Sequence, residues 1–222
     1  MARTALQQRS HDATQRAILD AALELFIEHS YEQVSIRNIA AKVGYSPAAI
    51  YSYFGSKDDI FFALAEEGLR IINATDPIAA PSGDALDDIR ATARHLYDFS
   101  KQHPEFFALI FVDRHVPKIS AEYARFRFLN DIWRRLEARV QRCIDEGVFP
   151  ATLSPFVALR LLIAPILGIA AQRISSRLAP NEDGDALAAD AIEVTIAGLR
   201  AGAQTRGRAP DIGSLAVGHE RE

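Results

Sequence analysis

The chain is short of several things that would have narrowed its function quickly. It has a single cysteine, Cys143, in 222 residues, which excludes an intramolecular disulfide framework and fits a reducing compartment. It has no excess of positive charge: the net charge is −4 and the pI near 5.9, so nucleic-acid binding would have to come from where charges sit. The opening stretch MARTALQQRSHDATQR lacks the apolar core of a signal peptide. The longest apolar run, Leu161–Ala171, is interrupted by Pro165 and Gly168 and is shorter than the roughly 20 residues that span a bilayer. HExxH, CxxC, GxSxG, Walker A and GxGxxG motifs are all missing. The histidines (His11, His29, His95, His103, His115 and His219) show no metal-ligand spacing. The expectation is a soluble, cytoplasmic protein that is not an enzyme and has no cofactor or metal.

What is present is helical periodicity, with 49% hydrophobic and 24% charged residues, an ordinary globular balance. No strand alternation appears. Asp12-Ala-Thr-Gln15 has capping-box spacing, and Ile18, Ala22, Leu25, Phe26 and His29 follow as one stripe. Ser35 caps a second helix carrying Ile36, Ile39, Ala40 and Val43, and Gly44 supplies a left-handed stop. Ser46-Pro47 restarts the chain as a short third helix, and Ser56 caps a fourth running to about Ile72. The turn-rich NATDPIAAPSGD (73–84) reads as a domain boundary. Beyond it, helices are expected from about Leu86 to Gln102, from Pro104, from about Ser120 to Glu146, from Pro155 to Arg177 with a kink at Pro165, and from about Asp185 to Gln204. Residues 1–11 read as a flexible lead and 205–222 as a disordered tail. The predicted fold is all-α: an N-terminal three-helix helix-turn-helix domain with its connecting fourth helix over 12–72, and a larger helical domain over 84–204.

Helix, tight turn at Gly44 and short helix make helix-turn-helix geometry, in which the second helix enters the major groove of DNA. The stretch VSIRNIAAKVGYSPAAIYSYFGSKDDIFFAL resembles the helix-turn-helix of the TetR family of transcriptional regulators, through Ile39-Ala40, Val43-Gly44, Ile50-Tyr51-x-Tyr53-Phe54 and Ser56-Lys57. The resemblance covers roughly Thr14 to Leu69. It implies DNA contacts from Ser35, Arg37, Tyr45, Ser46, Pro47, Ala48, Ala49, Tyr51, Tyr53 and Lys57. Among these, Arg37 would reach a base edge or a phosphate, Tyr51 and Tyr53 would place hydroxyls on phosphates, and Lys57 would pair with a phosphate. Pro47-Ala48-Ala49 departs from a hydrogen-bonding probe, so readout would lean on Arg37, Tyr45, Ser46, thymine methyls and DNA shape.

The resemblance also implies a ligand-binding and dimerisation domain in the remainder. Phe99, Phe107, Phe111, Tyr123, Phe126, Trp133, Ile169 and Gln172 are the candidate ligand-binding residues, suited to a hydrophobic or aromatic small molecule. Arg135, Arg139 and Arg142 read as a solvated basic face, and Cys143 as a small core residue. The last two helices, apolar on more than one face, read as a homodimer interface that would present two probe helices to a palindromic operator. The function implied is a ligand-released transcriptional repressor. The alternative is a ligand-binding or protein-interaction module that kept the scaffold without sequence-specific DNA binding.

Overall fold

The structure, a computed structural model, describes residues 2–76, 83–118, 123–126, 128–202 and 205–207. Among them there is no strand, and the order of helices is α1 (Ala2–Gln33), α2 (Ile36–Val43), α3 (Pro47–Tyr51), α4 (Lys57–Ala74), α5 (Ala85–Gln102), α6 (Pro104–Phe107), α7 (Tyr123–Phe126), α8 (Phe128–Asp145), α9 (Pro155–Ile174) and α10 (Gly184–Arg200). A π-helical turn, Ala108–Val112, continues α6. The chain forms two compact units. The first comprises Met1–Asp76, Asp98–Asn130 and Ala171–Arg177, and the second Pro77–Tyr97, Asp131–Ala170 and Leu178–Glu222.

α1 begins at Ala2, ahead of the start expected at Asp12. The lead is rich in Ala, Gln, Arg and Leu, all strong helix formers, and the Gln8 amide donates to Asp12 Oδ1 at 2.9 Å instead of leaving Asp12 to cap. Ile18, Ala22, Leu25 and Phe26 are buried, whereas His29 is exposed because the regular helix is ending there. Ser30 has φ 65 and ψ 156, a conformation that costs a non-glycine residue about 1–3 kcal/mol. Surrounding contacts hold it. The Lys57 ammonium donates to the Tyr31 and Val34 carbonyls, each at 2.9 Å, the Asp113 carboxylate accepts the Tyr31 N–H at 3.2 Å, and the Tyr31 hydroxyl bonds Asp58. Burial, then that bond, pushes the Tyr31 phenol above its ordinary range.

An aromatic ladder runs through the first unit. Ring centroids are 5.2 Å apart for Phe26–Tyr31, 5.6 Å for Tyr31–Phe61, 5.4 Å for Phe61–Phe62 and 6.0 Å for Phe62–Phe126. Further along α4, Gly68 is a packing glycine: a Cβ there would lie 2.8 Å from Ile110 Cδ1 and 3.1 Å from Phe106 Cβ. The π turn and α6 therefore sit against bare backbone of α4.

Glu66, on α4, accepts from Arg70 and from Arg125 of α7, each at 2.9 Å. Burial works to raise its pKa, but the hydrogen bonds from Arg125 and Arg70 outweigh it and hold the carboxyl below its ordinary 4.5. A depressed folded-state value stabilises above the unfolded value and is lost as pH falls through the folded one. Glu66→Gln is expected to flatten the pH dependence of urea unfolding below about pH 4.5, where the wild type loses this contribution. An unchanged pH profile would refute it.

In the second unit, Arg142 bonds the buried carboxylate of Asp88 at 2.8 Å and Arg139 donates to Thr92 at 2.7 Å. The basic stripe of α8 is therefore partly structural, contrary to its reading as a solvated face: helix spacing shows which charges share a side but not what packs over them. Cys143 is fully buried, and burial, reinforced by Glu146, pushes its thiol up to about 11. It is expected to resist iodoacetamide at neutral pH in the folded protein and to react on denaturation, read by intact mass. Labelling of the folded chain would overturn this.

α9, expected from Pro155 to Arg177, spans Pro155–Ile174. The helix extends well past the apolar run, and over an 18-residue window its mean hydropathy is 1.7, long and apolar enough to cross a membrane by length and composition. Only 39% of that window is buried inside the chain. Pro165 lies within it without ending the helix.

Candidate nucleic-acid interface

The site is built from three caps in a row. Ser35 Oγ accepts the Asn38 N–H at 3.3 Å and Asn38 Oδ1 accepts the Ser35 N–H at 2.9 Å, a reciprocal box that starts α2. Gly44, with φ 74, ends it, and its N–H and that of Tyr45 close on the carbonyls of the last turn. Ser46 Oγ accepts the Ala49 N–H at 3.2 Å, and Pro47 occupies the first position of α3, where no hydrogen bond is lost. Ile39 and Ile50 are fully buried and Phe54 nearly so, each worth about 1.5–3 kcal/mol of burial. Val43, at the end of α2, is only half-buried. These anchors leave the opposite side of α3 in solvent.

That side carries most of the expected contacts. Tyr45 and Tyr51 are 46% and 55% exposed, and Ser46, Pro47 and Ala48 are also exposed, with Ala49 half-buried. Arg37 is exposed on α2 and makes no ion pair among the described residues. It has all five guanidinium donors to offer, the arrangement that reads guanine or clamps a phosphate. Ser35 is exposed, but its hydroxyl is engaged with Asn38. Tyr53 is half-buried, its ring 4.6 Å from that of His11. The helical lead of α1 thus lies beside the end of α3, which sequence reasoning missed: a polar lead gives no hydrophobic stripe to find it by.

Lys57 is engaged within the chain. Its ammonium, expected on a DNA phosphate, is turned inward, donating to the Tyr31 and Val34 carbonyls and lying 4.0 Å from the Tyr31 ring centroid. The carbonyls at the end of α1 are unsatisfied by the helix itself and take it. Asp58 and Asp59 occupy the first turn of α4, where they complement the helix dipole and disfavour a phosphate.

The expected ligand-binding residues do not gather in one unit. Phe99, Phe107 and Phe126 are buried in the first unit; Trp133 and Ile169 belong to the second. Tyr123 falls among side chains outside those described. Two residues depart from the expectation of a cavity lining. Phe111 is 40% exposed, although its ring lies 5.0 Å from that of Phe107, because the wider π turn shifts side chains off the helical phase. Gln172 is exposed near the end of α9. The Trp133 ring lies beneath the Arg160 guanidinium at 4.5 Å. An open groove of about 460 Å³ runs along α4, lined by Ala63, Glu66, Glu67, Arg70, Ile71 and Ala74, none of them anticipated. Among the described residues no group of three or more His, Cys, Asp or Glu is placed to hold a metal ion.

A capped, solvent-facing probe helix in an all-helical chain defines a helix-turn-helix DNA-binding transcriptional regulator. The chain belongs to the TetR family. Residues 18–64 match the family described as bacterial regulatory proteins, tetR family, and residues 89–195 match the tetracyclin repressor-like C-terminal domain. By sequence it is similar to the uncharacterized HTH-type transcriptional regulator YdeS of Bacillus subtilis, 29% identical over 160 residues that cover 70% of this chain and 77% of that protein. Among solved structures it resembles the transcriptional regulator FadR from Bacillus subtilis in complex with stearoyl-CoA, with TM-score 0.67, 18% identity, and coverage of 82% of this chain and 98% of that one. It also resembles AibR in complex with isovaleryl coenzyme A and operator DNA, with TM-score 0.62, 19% identity, and coverage of 81% and 96%. At these identities the likeness to the solved structures is one of fold.

Proposed function

We propose that the chain is a ligand-responsive repressor that grips a palindromic operator as a homodimer and is released by a small hydrophobic or aromatic molecule. DNA reading belongs to residues 12–72, and effector binding and dimerisation to residues 84–204. The observation that carries it is the exposed face of α3 and Arg37 on α2, held rigidly by Ile39, Ile50 and Phe54 beneath. The acyl-CoA complexes of the two structural neighbours support an apolar effector, and so do the buried phenylalanines of the first unit. The exposed apolar and small residues of α9 (Leu161, Ala164, Gly168) and α10 (Val194, Ala197) support pairing with a second copy.

Release requires the effector to prefer a conformer whose two probe helices no longer match the half-site spacing. Fluorescence anisotropy against the DNA flanking the coding region, at two salt concentrations, tests the reading. Binding is expected to be tight and to weaken with salt. Arg37→Ala is expected to lower affinity by about tenfold and to relax the sequence preference, consistent with about 1–3 kcal/mol for a base-reading arginine. Binding no tighter than to random DNA and indifferent to Arg37 would instead favour a scaffold without sequence-specific DNA binding.

A further inference from the structure

The junction between α1 and α2, Ser30–Val34, sets the direction in which α2 leaves α1, and α3 follows α2 through the Gly44 turn. The junction is not self-supporting. Ser30 sits in a backbone region suited to glycine, and the Tyr31 N–H bonds to a side chain far along the sequence. That side chain is Asp113, whose Oδ2 accepts the Tyr31 N–H at 3.2 Å. Its other oxygen accepts the His115 N–H at 2.8 Å and lies 3.4 Å from His115 Nδ1, while His115 Nε2 is 3.8 Å from Glu32 Oε2. Asp113 also ends the π-helical turn, its own N–H bonded to the Ala108 carbonyl at 3.0 Å. The same turn places Ile110 against Gly68 of α4. The turn and the residue that ends it therefore reach toward the DNA-reading helices at two places, through α4 and at the junction.

We propose that Asp113 is a positioning residue for DNA binding, its carboxylate on the Tyr31 N–H tying the aim of α2 and α3 to the π turn Ala108–Val112. The proposal rests on the operator-binding reading above. A charged acceptor holding a backbone donor is stronger than a neutral one and directional, so its loss frees the junction without emptying the core. Among the described residues Asp113 makes no hydrogen bond or ion pair to a DNA-facing side chain, and its effect passes through Tyr31. Because Phe107, one of the phenylalanines proposed for effector binding, adjoins the turn with its ring 5.0 Å from that of Phe111 within it, a shift of the turn loosens this bond as it shifts the Gly68 contact.

The test begins by enriching an operator from random-sequence DNA with the full-length wild type, then measuring affinity for that operator and for mixed-sequence DNA at the same salt. Asp113→Ala is expected to bind the enriched operator about tenfold more weakly, a loss of aim. Its mixed-sequence binding and thermal midpoint should stay near wild type. Asp113→Asn, which keeps an oxygen acceptor, should recover most of the operator affinity. Hydrogen exchange at the Tyr31 amide, measured without DNA, should quicken in Asp113→Ala. Operator binding equal to wild type, or unchanged exchange at Tyr31, overturns the proposal. So does a parallel loss of operator binding, mixed-sequence binding and thermal stability, which marks a merely structural residue. A wild type that enriches no sequence at all removes the operator-binding reading, and the proposal with it.

Discussion

Val194→Glu is expected to leave the chain folded and to abolish tight operator binding. Val194 is 71% exposed on α10, so glutamate there meets water in the isolated subunit and costs at most about 0.5 kcal/mol, as for surface substitutions generally. The outcome reverses if α9 and α10 face a second copy. A two-fold interface brings the same surface from both subunits together, so one substitution inserts two like charges into an apolar contact. Burying an unpaired carboxylate costs several kcal/mol, enough to break most dimers. A subunit on its own then engages one half-site, losing the roughly 10²–10⁴-fold gain of bivalent attachment. Sedimentation velocity would report the monomer, and anisotropy the lost operator affinity. A variant that stays dimeric with wild-type affinity would move the interface elsewhere.

Phe61→Ala is expected to be the most destabilising single truncation in the first unit. Phe61 is fully buried and touches aromatic rings on both sides, Tyr31 of α1 and Phe62 of its own helix. Removing a buried phenylalanine costs about 3–5 kcal/mol, since the transfer free energy is lost and a cavity remains. Against total stabilities of about 5–15 kcal/mol this is a large fraction. For a chain of this size each kcal/mol lowers the midpoint by about 2–4 °C, so a fall of roughly 6–20 °C is expected by differential scanning calorimetry. Tyr51→Ala, at an exposed site, is the control and should shift the midpoint little. Equal shifts for the two would refute the role given to the ladder.

Local signals carried the first domain: Ser35, Ser46 and Ser56 start helices through their own hydroxyls, Pro47 through its fixed φ, and Gly44 stops one through its left-handed backbone, so α2, α3 and the start of α4 are legible without any tertiary contact. The exposed side of α3 followed, because Ile50 and Phe54 had to be the buried one. What was not legible depends on groups distant in sequence. Lys57 turns inward because α1 ends above it, and no local pattern shows that. The π turn after Phe107 looks like ordinary helix in composition, so the exposure of Phe111 was not legible. Asp113 carried no signal at all, since its partner is a backbone N–H. The apolar excess of α9 was visible as unmet burial and its start at Pro155 was legible, but the run counted from Leu161 to Ala171 missed how much of the whole helix is apolar.

The notch at Gly68 limits how α4 is able to move. With Ile110 and Phe106 seated on its backbone, the helix is keyed at one point. Sliding along its axis would drive the side chain of a neighbouring residue into that wall, whereas rocking about the notch would not. From Gly68 back to Lys57 the helix runs about 16 Å, at about 1.5 Å per residue. A tilt of about 10° at the notch therefore swings the Lys57 end by about 3 Å. Lys57 holds the carbonyls of Tyr31 and Val34, so the α1–α2 junction would be carried with it. In such a tilt Gly68 would serve as the fulcrum, and the longer arm would end at Lys57 and the α1–α2 junction it holds.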